Sequence, residues 1–178
     1  MGKNLDPDYF EQTVLLHLDA AYNLARWLTG DAAVAEDAVQ EASLRALRAF
    51  GSLSGPNPKA WFMAVVRNVC IDWLRGGRQR DREQEYDEEL HGGISCDARE
   101  SPEDLAIRAS DAKQVHAAIA ALPLEFREAI VLRELEEMSY KEISAIVNVP
   151  IGTVMSRISR GRDLLAVALR GAARRAAS

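Results

Sequence analysis

The chain has 178 residues, 48% of them hydrophobic and 6% aromatic, enough for one or two compact packed domains. It opens Met1-Gly2-Lys3-Asn4-Leu5-Asp6 without the charged-then-apolar layout of a signal peptide, and no apolar run nears the roughly 18 to 20 residues that span a bilayer, so the expected location is cytoplasmic. The net charge of −5 speaks against nucleic acid only as an average, because residues 1–78 hold 8 basic and 9 acidic side chains, 79–112 hold 4 and 11, and 113–178 hold 10 and 7. The last 29 residues carry 6 Arg against one acid, and local charge is what a phosphate backbone feels within about a Debye length.

Ala and Leu dominate and β-branched runs are short, which favours helix. A first helical block is expected from about Tyr9 to Phe50, broken near Thr29-Gly30-Asp31. Gly51-Ser52-Leu53-Ser54-Gly55-Pro56-Asn57-Pro58 is a breaker, with Gly, Pro and turn-forming polar residues crowded together. The next helix is expected from Pro58, tolerated in a first turn, to Arg75, with Gly76-Gly77 ending it. From Arg78 to about Glu103 acidic residues, Gly92-Gly93 and Ser101-Pro102 replace large apolar groups, the composition of a flexible linker. Beyond it, helices are expected at about Pro102–Leu122, Leu124–Leu135, Ser139–Val147 and Gly152–Arg170. Ser139 and Glu142 form a capping box, and Asn148-Val149-Pro150-Ile151-Gly152 is a short turn between two helices. The fold class is therefore all-α: two small helical domains joined by an acidic flexible linker.

The last two of these helices match a helix-turn-helix, which needs a short support helix, a tight turn and a second helix with an outward reading face. Ile143, Ile146 and Val147 share one side of the support helix. Val154, Ile158, Gly161, Leu165 and Ala168 recur at i, i+4, i+7, i+11 and i+14, a single inward stripe. Ser156, Ser159 and Arg160 then point away from it, flanked by Thr153, Met155, Arg157 and Arg162. Hydroxyls and guanidinium groups suit phosphate contacts and bidentate reading of guanine. Gly161 either permits close packing or costs helix stability.

The helix from Pro58 has two unlike faces. Phe62, Val65, Val66, Val69 and Trp73 form a core stripe, and Arg67, Asn68, Asp72 and Arg75 lie opposite. Trp61 stands beside the Gly/Pro loop, where an aromatic near basic and amide groups can stack on unpaired bases; burial in the core is an equal reading for Trp61 and the favoured one for Trp73. In the preceding block Asp37, Gln40, Glu41 and Leu44 share one face. Such a face can dock on a basic partner helix, although an acidic helix face alone is more often merely solvated.

In combination these segments resemble the extracytoplasmic-function (ECF) sigma factors, small two-domain subunits of bacterial RNA polymerase. Ala35-Glu-Asp-Ala-Val-Gln-Glu41 with Leu44-Arg45-Ala46 is similar to their region 2.2. Ala60-Trp-Phe, Val66-Arg67-Asn68 and Asp72-Trp-Leu-Arg75 are similar to regions 2.3 and 2.4. Leu122-Pro123, Arg127-Glu128, Leu132-Arg133-Glu134, Ser139-Tyr140, Glu142-Ile143, Val149-Pro150-Ile151-Gly152-Thr153-Val154, Ser156-Arg157 and Arg160-Gly161-Arg162 are similar to region 4. The resemblance covers about residues 10–77 and 112–168 and implies region 2 over 1–78, a linker over 79–111 and region 4 over 112–178.

It also implies roles. Asp37, Gln40, Glu41 and Leu44 would meet the β′ clamp helices of core polymerase, and region 4 the β flap. Ser54 and Asn57 of the loop, with Trp61, Arg67, Asn68 and Arg75, would recognise and open the −10 element. Arg133 would touch phosphate, while Thr153, Met155, Ser156, Arg157, Ser159 and Arg160 would read the −35 element. The two domains would be held apart on core enzyme and clamped together by an anti-sigma factor when silent. Met155 stands where many relatives carry Lys or Arg, and Ser159 where some carry a larger side chain, so the −35 sequence cannot be copied from relatives.

Other readings remain at this point. A stand-alone helix-turn-helix regulator explains residues 112–170 but leaves the Trp61–Arg75 and Asp37–Glu41 faces without jobs. A decoy that titrates an anti-sigma factor would not need an Arg-rich recognition helix. An enzyme is not expected: His17, His91 and His116 are scattered, with no nucleophile–base spacing or phosphate loop. No metal, cofactor or small-molecule substrate is expected either. Cys70 reads as a small buried hydrophobe, and Cys96, five residues after His91, lacks convergent ligands.

Overall fold

The computed structural model describes residues 7–52, 57–80 and 102–176. Ser54, His91, Cys96 and most of the expected linker lie outside the described residues. The described elements are helical: α1 (Pro7–Thr13), α2 (Leu18–Thr29), α3 (Ala32–Ala49), α4 (Pro58–Arg80), α5 (Pro102–Ala120), α6 (Leu124–Ile130), α7 (Tyr140–Val147) and α8 (Ile151–Ala176). A 3-10 turn at Leu15–His17 precedes α2, so the first block is broken there as well as at the expected Gly30. Gly30 takes the left-handed conformation, φ 78°, that ends α2, and the Asp31 carboxylate accepts the Val34 amide at 2.9 Å to start α3.

One expected boundary is wrong. Gly76-Gly77 does not end the second helix, since α4 runs on to Arg80. Glycine lowers helix propensity by roughly 1 kcal/mol, yet extending an established helix costs far less than nucleating one. The C-terminal domain departs in smaller ways. Helix α6 continues as a π-helical turn at Val131–Leu135, and the inward stripe of α8 fades at half-buried Leu165, leaving Ala168 exposed.

Helices α2, α3 and α4 pack on one another around Leu24, Leu28, Ala35, Ala38, Ala42, Phe62, Met63 and Val66. The alanines of α3 allow its close approach. Phe62 is fully buried, and truncating such a side chain to Ala costs about 3–5 kcal/mol. In the second half, α6, α7 and α8 enclose Ile130, Leu132, Ile143, Ile146, Val154 and Ile158. Gly161 is what lets α8 cross α6. A Cβ there would lie 2.7 Å from Ile130 Cγ1, so close packing is the reason for this glycine.

The two halves also pack on each other. Helix α4 lies against α7, α2 lies against α6, and the buried side chains form one continuous cluster from Phe10 to Ile158. Cys70 sits in this core, where burial pushes its thiol up to about 12. It is protonated and behaves as a hydrophobe.

Candidate nucleic-acid interface

The helix-turn-helix is fixed by its caps. Ser139 Oγ accepts the Glu142 amide at 3.3 Å, and Glu142 Oε2 accepts the Ser139 amide at 2.7 Å, completing the expected capping box. Those Ser139 hydrogen bonds are the main reason the Glu142 carboxyl lies below the usual range. Asn148 ends α7 in the left-handed region, φ 54°, and Ser144 Oγ donates to the Val149 carbonyl at 2.6 Å across the turn. The Pro150 carbonyl then accepts the Thr153 and Val154 amides at 2.9 and 3.1 Å, starting α8.

Burial of Val154 and Ile158 turns the opposite side of α8 outward. Met155 is 52% exposed, Ser156, Ser159 and Arg160 are exposed with it, and Thr153 is half-buried at their edge. Two arginines of this helix are already engaged. Arg162 donates to Glu134 Oε1 through Nε and Nη2 at 2.9 and 2.6 Å. Arg157 turns toward the core, its Nη1 donating to Glu128 Oε1 at 3.3 Å. Arg133 is held by the turn that follows it, donating to the Met138 carbonyl at 2.8 Å and lying 4.9 Å over the Tyr140 ring.

The polar edge of α4 is built differently. Asn57 Oδ1 accepts the Ala60 amide at 3.0 Å at the start of the helix, while its Nδ2 donates to Glu142 of α7. Trp61 is half-buried and packs against the core. Asn68 and Arg75 are exposed. Arg67 makes a fork against one carboxylate: Nε to Glu128 Oε2 at 2.9 Å and Nη2 to Glu128 Oε1 at 3.3 Å.

Glu128 therefore joins Arg67 of α4 to Arg157 of α8, and with only 2% exposure it is the buried charged residue among those described. Other contacts follow the same seam. Lys59 Nζ reaches the Glu136 carbonyl at 3.1 Å and its carboxylate at 3.5 Å, and Asn23 Nδ2 donates to Glu136 Oε1 at 2.6 Å. Arg127 Nη1 donates to the Trp27 carbonyl at 3.1 Å, and the Trp27 and His116 rings lie 4.2 Å apart.

The third face, on α3, points away from this seam. Asp37 and Gln40 are exposed and Leu44 is 56% exposed, an apolar side chain beside acid and amide as expected. Glu41 is half-buried. Its Oε2 accepts the Trp73 indole N–H at 2.8 Å, and this bond, aided by Arg45, holds its carboxyl below the usual range. Trp73 is thus a partly buried core residue with a polar anchor.

The structure brings together several residues the sequence left unassigned: Asn23, Trp27, Lys59, His116 and the acids Glu128 and Glu136 at the seam. Glu128 carried a signal. It lies on the stripe Leu124, Glu128, Val131 at i, i+4 and i+7, and a charge on an inward stripe demands a partner. Glu136 carried none, because its partners are distant in sequence.

Two family models match the chain: Sigma-70 region 2 over residues 13–80 and Sigma-70 region 4 over residues 112–165. The ECF RNA polymerase sigma factor SigE of Mycolicibacterium smegmatis is 34% identical over 88% of the chain, which spans 60% of that protein's length. The ECF RNA polymerase sigma factor SigW of Bacillus subtilis is 32% identical, with 94% of this chain and 92% of that protein aligned. Among solved structures, the sigma factor RpoE from Bartonella quintana, crystallised in complex with the anti-sigma factor NepR, superposes with a TM-score of 0.73 at 31% identity, covering 90% of this chain and 96% of that one. Matches to region 2 and region 4 in that order, with ECF relatives at 34% and 32% identity, place the chain in the ECF sigma factors of RNA polymerase.

Proposed function

We propose that the chain programs core RNA polymerase through three separate faces and has no catalytic activity of its own. Asp37, Gln40, Glu41 and Leu44 of α3 dock on the β′ clamp helices, carboxylates against basic residues and Leu44 in an apolar notch. Region 4 sits on the β flap and presents Thr153, Met155, Ser156, Ser159 and Arg160 to the major groove of the −35 duplex, with Arg133 and Arg157 on or near phosphates. Region 2 opens the −10 element and holds it as a single strand on Ser54, Asn57, Trp61, Arg67, Asn68 and Arg75. Flipping a base costs a few kcal/mol, offset by stacking worth about 1–3 kcal/mol per base.

The division of labour runs with region 2 over 1–78, the acidic linker over 79–111 and region 4 over 112–178, although α5 begins inside that linker at Pro102. Among the described residues no helix is long and apolar enough to cross a membrane, which is consistent with action on polymerase in the cytoplasm. An anti-sigma factor holds the two domains together when the chain is silent; the Bartonella relative was crystallised in complex with one.

The observation that carries this reading is the outward face of α8, where Met155, Ser156, Ser159 and Arg160 are all exposed over a buried Val154–Ile158 stripe. The test is transcription by purified core polymerase, with and without the chain, on a randomised promoter pool. Discrete starts sharing elements near −35 and −10 are expected. A chain that binds core but starts nothing, or that binds duplex DNA and ignores core, overturns it.

A further inference from the structure

Three donors on or beside the single-strand edge of region 2 end on carboxylates of region 4. Arg67 makes its two-pronged contact with Glu128, Asn57 donates to Glu142, and Lys59, two residues before Trp61, is taken by Glu136. These acids come from three separate elements of the C-terminal domain: α6, α7 and the turn between them. Their common feature is the partner they face. Each offers oxygen acceptors to a cation or amide that a nucleic-acid strand would otherwise engage through phosphate or base oxygens.

We propose that region 4 acts as an intramolecular competitor for the −10 strand, with Glu128, Glu136 and Glu142 standing in for the strand's acceptors, so that the closed chain cannot hold single-stranded −10 DNA until the two domains part. The inference rests on the −10 assignment of Asn57 and Arg67 made above. It goes further in naming the occluder, which is the chain itself and needs no anti-sigma factor. The arrangement is selective. Carboxylates occupy α4, whereas Met155, Ser156, Ser159 and Arg160 on α8 stay exposed in the same closed chain. Apparent affinity for a ligand of the open form is reduced by the fraction of chains that are open. Weakening the acids therefore raises single-strand affinity without any new contact to DNA.

The experiment uses the full chain and two variants. Glu136→Gln/Glu142→Gln leaves the buried Glu128 untouched, and Gln still serves at the third position of a capping box. The second variant adds Glu128→Gln. The probes are a fluorescent single strand carrying the −10 element, a −35 duplex, and the radius of gyration from small-angle scattering, each on samples with native helical content.

Both variants are expected to expand and to bind the single strand more tightly, by about tenfold if some 10% of wild-type chains are open. The double variant leaves duplex affinity within about twofold, because the exposed side of α8 does not contact Glu136 or Glu142. If the triple variant loses its fold, the double variant decides alone. A folded variant with unchanged radius and unchanged strand affinity overturns the competition. Expansion without a gain in strand affinity overturns it through the −10 assignment instead, and wild-type transcription with core, measured in parallel, shows whether the promoter-reading function stands regardless.

Discussion

The two edges we assign to nucleic acid are in opposite states within one conformation. On α8 the reading side chains face solvent, and only the flanking Arg157 and Arg162 are spoken for. On α4 the strongest donors are satisfied by the other domain, and Asn68 and Arg75 remain exposed. The difference follows from what each edge must read. A duplex major groove is a preformed surface that needs only an outward helix. A single strand has to be wrapped and stacked, so its site needs convergent, desolvated donors, and such donors are costly to leave unpaired. A closed chain that supplies temporary acceptors removes that cost.

The face on α3 that we assign to core polymerase is the control for this comparison, since it is open like α8 but assigned to a protein partner. Converting Asp37 and Gln40 to Lys should cost several kcal/mol of core affinity by placing like charges against a basic partner. Both positions are exposed, and Glu41 keeps its bond to Trp73, so the fold is left alone. Competition for core against a labelled wild-type chain measures the loss. Undiminished affinity removes the docking assignment, while −35 duplex binding by the free variant should stay unchanged.

The next two changes separate the α8 edge from its support. Gly161→Val forces a Cβ to within 2.7 Å of Ile130, and overpacking of this kind costs about 1–3 kcal/mol. It should lower the melting temperature of the chain, with Gly161→Ala affected less because Ala recovers helix propensity. Equal melting of wild type and Gly161→Val would mean that α6 yields freely. Arg160→Ala should lower promoter affinity by about 1–3 kcal/mol through loss of a bidentate base contact, with selectivity relaxed at −35 and retained at −10. Unchanged −35 selectivity in that variant would rule the contact out.

What the sequence disclosed follows the range of the forces involved. The capping box at Ser139 and the inward Val154–Ile158 stripe are local patterns that hold in the structure, and the turn after Asn148 holds too, but it ends at Pro150 because α8 starts at Ile151 rather than at Gly152. Gly76-Gly77 misled because local propensity was asked to overrule a helix already running. Arg157 illustrates the boundary between the two cases. Its position beside the stripe was legible, but its turn toward Glu128 depends on a residue 29 positions away. The seam as a whole was invisible for the same reason: Asn57 and Glu142 are 85 residues apart, and Asn23 and Glu136 are 113 apart. Charge counting along the chain identified an acidic middle and a basic tail but could not foresee acids of region 4 pairing with bases of region 2.

The smallest expected effect concerns pH, and it tests whether the seam itself distinguishes the two edges. His116 packs its ring on Trp27, and burial, with the nearby Arg26 charge second, holds its pKa below 6.5. His17 is also lowered, by burial and then by Lys59, but both lie in the N-terminal half. His116 is the one whose ring contact crosses the seam, so through it the closed chain binds the proton less well than an open one. The stability His116 lends to closure is therefore full above about pH 6.5 and is lost as pH falls from there toward its lowered value. Glu142 stays ionised across that window because its hydrogen bonds hold its carboxyl low, so its contact with Asn57 does not confuse the result. Energy transfer between labels on α3 and on the outer side of α8 should report a modest opening between about pH 7.5 and 5.5. The change should be lost in His116→Gln and kept in His17→Gln, and single-strand binding should rise with it while −35 binding on the already exposed face of α8 does not. A transfer efficiency that is flat over this range would show that His116 is a bystander, and would leave the three carboxylates as the whole of the clasp.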